Sequence, residues 1–174
     1  MEIKSIETIY NGRRYRSRLE ARWAVFFDSL GIRFEYEPEG FVLSNGMAYL
    51  PDFFLPDIGA GIFAEVKGSM SDMDLEKIST LAEDAERTVA VLGDLPEHGE
   101  SADISVYYDF GAMDMGHEFC VCPKCGEIGL QFEARAARNC LCTDDDREYV
   151  GLQPEVKAAY DKARMARFEH GETP

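Results

Sequence analysis

The segment Ile62-Phe63-Ala64-Glu65-Val66-Lys67 carries the residues best suited to chemistry. Read as a strand, its alternation sets Ile62, Ala64 and Val66 on one face and Phe63, Glu65 and Lys67 on the other. A carboxylate and an ammonium then project side by side. An E-x-K pair is in itself an ordinary solvent-facing pattern, so the preceding strand decides what it means. If Pro56 to Gly61 form the connecting loop, the hairpin register sets Asp52 opposite Glu65 and Leu50 opposite Lys67. Directly opposed side chains have β-carbons about 4.5–5.5 Å apart, and like charges there repel. A cation between the two carboxylates removes that cost, and Mg²⁺ binds through one or two carboxylates together with water and substrate phosphate. Pro51-Asp52 could simply be a turn, but Tyr49, Leu50, Phe53, Phe54 and Leu55 around it are strand residues. The second Leu-Pro-Asp places Asp57 in the loop, opposite Ala60 and away from Glu65.

A third acid, Glu20, lies at the edge of the apolar stripe of a helix, where its carboxylate could look towards the sheet. Ser17-x-x-Glu20 also matches a helix capping box, and the two roles are compatible. Around it, Arg13, Arg14, Arg16, Arg18 and Arg22 form a local basic patch able to hold phosphates. The same arginines also suit a solvated helix start.

The elements that must position these groups follow from periodicity and punctuation. Residues 6–16 alternate around Asn11-Gly12, a strong hairpin signal. Ser17 opens a helix whose Leu19, Trp23, Phe26, Phe27 and Leu30 make one apolar stripe, and Gly31 caps it. Residues 32–37, 40–43, 47–55 and 62–67 read as strands, with a tight turn at Asn45-Gly46. A second helix spans about residues 73–87, with Leu75, Ile78, Leu81, Ala82 and Ala85 on one face. Val89 to Leu92 is continuously apolar, as in a strand buried on both sides; Ile104 to Phe110 reads as another. The order helix, three strands, helix, strand describes an α/β core.

After about residue 113 the texture changes to cysteine, glycine and charge. All five cysteines fall here, at 120, 122, 125, 140 and 142, and clustering of this kind favours metal binding over a scattered disulfide framework. Cys122-Pro-Lys-Cys125-Gly has the spacing of a zinc knuckle. With Cys140 and Cys142 it offers four thiolates for tetrahedral Zn²⁺, a closed and therefore structural site. Cys120 and His117 are spare donors. Pro154 opens a last helix with Val156, Ala159, Tyr160 and Ala163 on one side; its Lys157, Lys162, Arg164 and Arg167 read as a solvated face.

The segments RSRLEARWAVFFDSLGI, YLPDFFLP and FAEVKG resemble the PD-(D/E)XK nuclease superfamily, whose members include restriction enzymes, Holliday-junction resolvases and small phage nucleases. The resemblance covers roughly residues 13–92. It implies a restriction-endonuclease-like core of helix, three-stranded antiparallel meander, helix and strand, placed over residues 1–112; the cysteine cluster adds a zinc-ribbon-like module over 113–150, and Pro154 opens a C-terminal helix over 151–174. It also implies that Asp52, Glu65 and the carbonyl of Val66 hold Mg²⁺ or Mn²⁺, assisted by Glu20, while Lys67 positions the attacking water. Metal ions and an ammonium together supply the in-line nucleophile and the positive charge that phosphodiester hydrolysis needs. The expected activity is a metal-dependent deoxyribonuclease, an endonuclease acting on branched, single-stranded or otherwise unusual DNA. Nothing in the sequence reads a 2′-hydroxyl, so RNA stays open as a substrate. Resolvase-like members of the superfamily often dimerise.

The bulk composition sets bounds on these expectations. The hydrophobic fraction of 45% and charged fraction of 29% belong to a folded chain. No apolar run approaches a membrane span, and the polar start MEIKSIETIY has no signal core; the expectation is a cytoplasmic protein without a membrane partner. The net charge of −15 is unevenly spread. Residues 1–68 hold 8 basic against 10 acidic side chains, and the rest hold 10 against 23. That acidity fits an alternative of a different class: a catalytically silent nuclease-fold adaptor whose zinc module binds a protein partner.

Overall fold

In the computed structural model, the structure describes residues 6–132, 135–137 and 152–168. It is a mixed α/β fold, with one large mixed sheet and three helices among the described residues. The chain opens with the ribbon β1 (Thr8–Tyr10) and β2 (Arg13–Tyr15). Asn11 and Gly12 turn it with φ of 48° and 74°, the left-handed pair that an Asn-Gly hairpin turn requires.

Helix α1 (Arg18–Leu30) starts where the Ser17 hydroxyl accepts the Glu20 amide, and it ends at Gly31, in left-handed conformation at φ 83°. The expected single apolar stripe turned out wider: Ala21, Ala24 and Val25 are buried along with Trp23, Phe26 and Phe27. The reason is α3 (Pro154–Met165), which packs Val156, Ala159, Tyr160 and Ala163 into the same cluster. The Tyr160 ring stacks on Phe26 at 4.4 Å between centroids. A helix covered on two sides buries more than one stripe.

Strands β3 (Glu35–Tyr36), β6 (Phe53–Leu55) and β7 (Ile62–Val66) form an antiparallel meander. Between β3 and β6 the chain inserts a separate ribbon, β4 (Phe41–Val42) and β5 (Ala48–Tyr49). The expected continuous strand over 47–55 is therefore two short ones, broken at residues 50–52. Helix α2 (Asp72–Asp84) then crosses over to β8 (Val89–Leu92), which runs parallel to β7. Its N-terminus is fixed by a reciprocal capping box between Ser71 and Asp74. Ile78, Leu81 and Ala82 are buried, whereas Leu75, expected on the same face, is largely exposed.

The sheet does not stop at residue 113. Strand β9 (Ile104–Tyr107) pairs with β8, and β10 (Met113–Val121), β11 (Ile128–Phe132) and β12 (Arg135–Ala137) continue antiparallel beyond it. The eight strands lie in the order β12-β11-β10-β9-β8-β7-β6-β3. Phe119 on β10 packs on Phe26 of α1, and Val121 exchanges two hydrogen bonds with the Gln153 side chain just before α3. The described strands of the expected module, β10 to β12, thus continue the sheet of the first part, and α3 shares its core.

The two faces of the sheet are covered differently. Helices α1 and α3 pack on the face that carries Ala64, Ala90 and Leu92. Helix α2 and the β4–β5 ribbon cover the face of Phe63, Val89 and Val91. Alternation along β7 puts Glu65 on the second face.

Candidate active site

The acid pair sits where the β6–β7 ladder ends. The observed register pairs Phe53 with Ala64, Phe54 with Phe63 and Leu55 with Ile62, so one more step brings Asp52 opposite Glu65, as the loop length predicts. Pro51 has no N–H to return, and beyond Phe53 side chains replace the backbone ladder. The Val66 amide donates to Asp52 Oδ2 at 2.8 Å, and the Asp52 amide donates to Glu65 Oε1 at 3.1 Å. Both carboxyl groups are buried, Asp52 to 5% exposure and Glu65 to 1%.

Burial is the first cause of their altered acidity, because a low-dielectric surrounding disfavours the charged form. It pushes Glu65 up to about 8, with the neighbouring Asp52 charge adding to the effect. It pushes Asp52 up to about 6 against the lowering effect of the Val66 amide and of Arg16. Two cations answer this negative charge. Lys67 Nζ stands 3.8 Å from Glu65 Oε2 and 3.6 Å from Asp74 Oδ1, so the capping aspartate of α2 also holds the lysine in place. On the other side, Arg16 reaches Asp52 Oδ1 at 2.6 Å and Glu37 at 2.8 Å. Arg16 therefore belongs to the acid site and is not a purely external contact.

Glu20 is buried at the start of α1, but its oxygens are already engaged. Oε1 accepts from Ser17 Oγ at 2.7 Å, and Oε2 accepts from Tyr36 Oη at 2.6 Å and the Arg16 amide at 3.1 Å. The capping bond returned by Glu20 comes from Arg16 N–H, one residue before the expected position. Its charge reaches Asp52 and raises that group. Among the described residues no group of three or more acidic, histidine or cysteine side chains is placed to hold a metal ion. The acids therefore form a pair with Glu20 as a neighbour.

A pair is nevertheless sufficient for a hard cation that keeps water and substrate oxygens in its shell. Asp52 and Glu65 are the side chains that could hold it, and both are oxygen donors of the kind Mg²⁺ and Mn²⁺ take. Val66, named with them for its carbonyl, borders the pair through its amide. The pair lies at the C-terminal ends of the adjacent parallel strands β7 and β8, the end where open α/β sheets place their ligands.

The sequence reading overlooked Tyr36, Tyr49 and Asp74. Tyr36 fixes Glu20. Tyr49 sets its hydroxyl against Glu65, and burial, with the Glu65 charge after it, keeps the phenol protonated. Only Asp74 left a recognisable signal, the Ser-x-x-Asp spacing before an apolar helix.

Of the remaining arginines named from sequence, Arg13 and Arg14 are exposed on β2, and Arg14 pairs with Glu7. Arg18 and Arg22 face the end of α3. Asp57 is exposed and bidentate to Arg33, well apart from the acid pair.

The cysteine hairpin is only partly described. Cys120 and Cys122 are buried and Cys125 is exposed. The turn closes through Gly126 N–H to Cys122 O at 2.8 Å and Cys122 N–H to Glu127 O at 2.7 Å, with Gly126 at φ 77°. That is a tight knuckle at the tip of β10–β11. Cys140 and Cys142, named as the other two ligands, lie outside the described residues. His117 is set against Tyr108 Oη at 3.2 Å; at about 3.3 Å per strand residue it stands about 13 Å from Val121 along β10. It is too far away to share an ion with Cys122.

No protein-family model matches the chain, and neither a curated protein nor a solved structure matches it.

Proposed function

We propose that this protein is a metal-dependent nuclease of PD-(D/E)XK type that hydrolyses phosphodiester bonds in DNA. The observation that carries the reading is the buried Asp52–Glu65 pair, cross-linked through backbone amides, with Lys67 3.8 Å from Glu65. Two carboxylates enclosed together raise each other's proton affinity, and a divalent cation relieves the same repulsion. The order of α1, the β3–β6–β7 meander, α2 and β8 supports the restriction-endonuclease-like core.

In this mechanism Asp52 and Glu65 would hold a Mg²⁺ or Mn²⁺, which would supply positive charge to the phosphoryl oxygens and acidify a water. Lys67, fixed between Glu65 and Asp74, orients the attacking water and offsets charge as the phosphorane-like state develops. Glu20, locked by Ser17, Tyr36 and the Arg16 amide, keeps negative potential beside Asp52 and so raises its affinity for positive charge, proton or metal alike. Arg16 would turn part of its guanidinium from Asp52 when an ion binds, while Glu37 still holds its Nε. A Zn²⁺ held by Cys122, Cys125, Cys140 and Cys142 would be structural, tying the β10–β11 tip to the following segment.

The test is cleavage of single-stranded, duplex and branched DNA, and of RNA, with Mg²⁺ or Mn²⁺. Products with wild type and none with Glu65→Gln support the nuclease. Intact substrates under every metal and pH reject it. One observation favours the second reading, a silent adaptor: Arg16 and Lys67 already balance the two acids without an added ion. In that case Glu65→Gln leaves partner capture by the acidic remainder of the chain unchanged, and no substrate is cut.

A further inference from the structure

The two cations at the acid pair differ in how closely they hold it. Lys67 Nζ stands 3.8 Å from Glu65 and 3.6 Å from Asp74, beyond ordinary hydrogen-bond length. Arg16 is in contact: Nη2 donates to Asp52 Oδ1 at 2.6 Å, and Nε lies 2.8 Å from Glu37 Oε1. The other oxygen of Asp52 already accepts the Val66 amide. A hard cation such as Mg²⁺ binds oxygen at about 2.0–2.1 Å. On Oδ1 it would stand about 4 Å from the guanidinium, where like charges repel. Entry to Asp52 is therefore contested by Arg16.

A second set of contacts fixes where Arg16 goes when it yields. Its backbone is anchored, since the amide donates to Glu20 Oε2 and to Tyr36 Oη. Glu37 follows Tyr36 at the end of β3, and its own amide donates to the Asp52 carbonyl at 2.8 Å. Glu37 has φ 48°, a left-handed conformation that residues with a side chain rarely adopt. Such backbone persists only where surrounding contacts hold it, and it clusters at functional sites. Here the Glu37 carboxylate stays near enough to Asp52 for one guanidinium to span both. The Arg16 side chain is 52% exposed against 8% for Asp52, so solvent can replace the bond that Arg16 gives up.

We propose that Arg16 is a resident counter-ion that competes with the divalent cation for Asp52, and that Glu37 is the positioning residue that retains it when the cation enters. The proposal rests on the nuclease reading in taking Asp52 and Glu65 as a cation site. What it adds is regulation of that site: affinity for the ion is set by how readily Arg16 passes from a bridge between two acids to Glu37 alone. The charge of Glu37 favours a nearby cation whether or not Arg16 is present. A resting place for Arg16 matters only while Arg16 is there, and a double-mutant cycle separates the two effects.

The experiment is calorimetric titration of Mg²⁺ into the full chain, on the alkaline side of pH 8, where protons compete least for the two acids. It compares wild type with Arg16→Gln, Glu37→Gln and the double variant. Both side chains are partly exposed, and a melting curve in chelator checks that each variant is folded. Arg16→Gln should bind Mg²⁺ about tenfold more tightly, the scale of one charge-assisted hydrogen bond. Glu37→Gln should bind about threefold more weakly and should lose that effect in the Arg16→Gln background. Binding by Arg16→Gln with none by wild type supports the proposal as well. Equal affinity in wild type and Arg16→Gln overturns it and leaves the nuclease reading standing. Additive effects of the two substitutions overturn the role of Glu37. Absence of binding in all four proteins overturns the cation site and the proposal together.

Discussion

Two glutamates are buried in the same sheet, and their surroundings differ in the way that separates chemistry from architecture. Glu65 ends β7 with a second carboxylate opposite it, a lysine beside it and the open end of the parallel strands above. Glu118 sits inside β10, paired across the ladder with Gln131, whose Nε2 donates to Glu118 Oε1 at 3.1 Å. Its other oxygen has no hydrogen-bond partner among the described residues. A neutral amide in a closed location answers one oxygen of the Glu118 carboxylate and gives it nothing to act on. Two acids sharing one space at a strand end create a demand for positive charge, which Arg16 and Lys67 meet among the described residues. The comparison teaches that burial of an acid is uninformative until its neighbour is known.

The largest expected effect separates the two acids directly. Glu65→Gln abolishes cleavage, whereas Glu118→Leu leaves kcat unchanged and costs about 1–3 kcal/mol of stability, because it removes one acceptor of the buried Gln131 amide. Equal losses of activity in the two variants, measured on protein of matched folding, break the contrast. Next in size, Lys67→Met lowers kcat by about 10²- to 10⁴-fold with little change in KM, as expected for a group acting on the reacting water. An effect confined to KM assigns Lys67 to binding instead.

The pH dependence sharpens the contrast further. Glu65 goes from 4.5 unfolded to about 8 folded, and Asp52 from 3.8 to about 6. A carboxyl raised on folding stabilises most when protonated, so its contribution is fully present below about pH 4 and is lost as pH rises through 6 to 8. In chelator, the Tm of wild type should therefore fall relative to Glu65→Gln across that window, and the gap should close when Mg²⁺ is added at pH 8. A constant difference between the two proteins from pH 4 to pH 8 contradicts the assignment. The smallest effect belongs to Tyr36→Phe, which removes one of three donors to Glu20 and costs about 0.5–1.5 kcal/mol. Its activity loss is modest if Glu20 acts only through its charge.

Much of this arrangement was legible in the residues. The Asn11-Gly12 hairpin, the Ser17 and Gly31 ends of α1, the β6–β7 register and the buried Val89–Leu92 strand each follow from local turn chemistry or from alternation, which do not depend on the rest of the chain. The acid pair was readable because a loop of fixed length sets a register. What escaped depends on contacts distant in sequence. The apolar residues of α3 gave no hint that they would cover α1. Tyr36 and Tyr49 carry no spacing signal towards Glu20 or Glu65. The change of composition at residue 113 resembled a boundary, yet His117, Phe119 and Val121 alternate as strand residues and extend the sheet. Arg16 read as one of five phosphate-binding arginines because its partner, Asp52, lies 36 residues away.

The central claim is that the Asp52–Glu65 pair is a site for a divalent cation, and calorimetric titration of Mn²⁺ into the protein at neutral pH tests it most directly. The account predicts one saturable binding event accompanied by proton release, with both signals absent from Glu65→Gln and preserved in Glu118→Leu. Identical titrations of wild type and Glu65→Gln would contradict it.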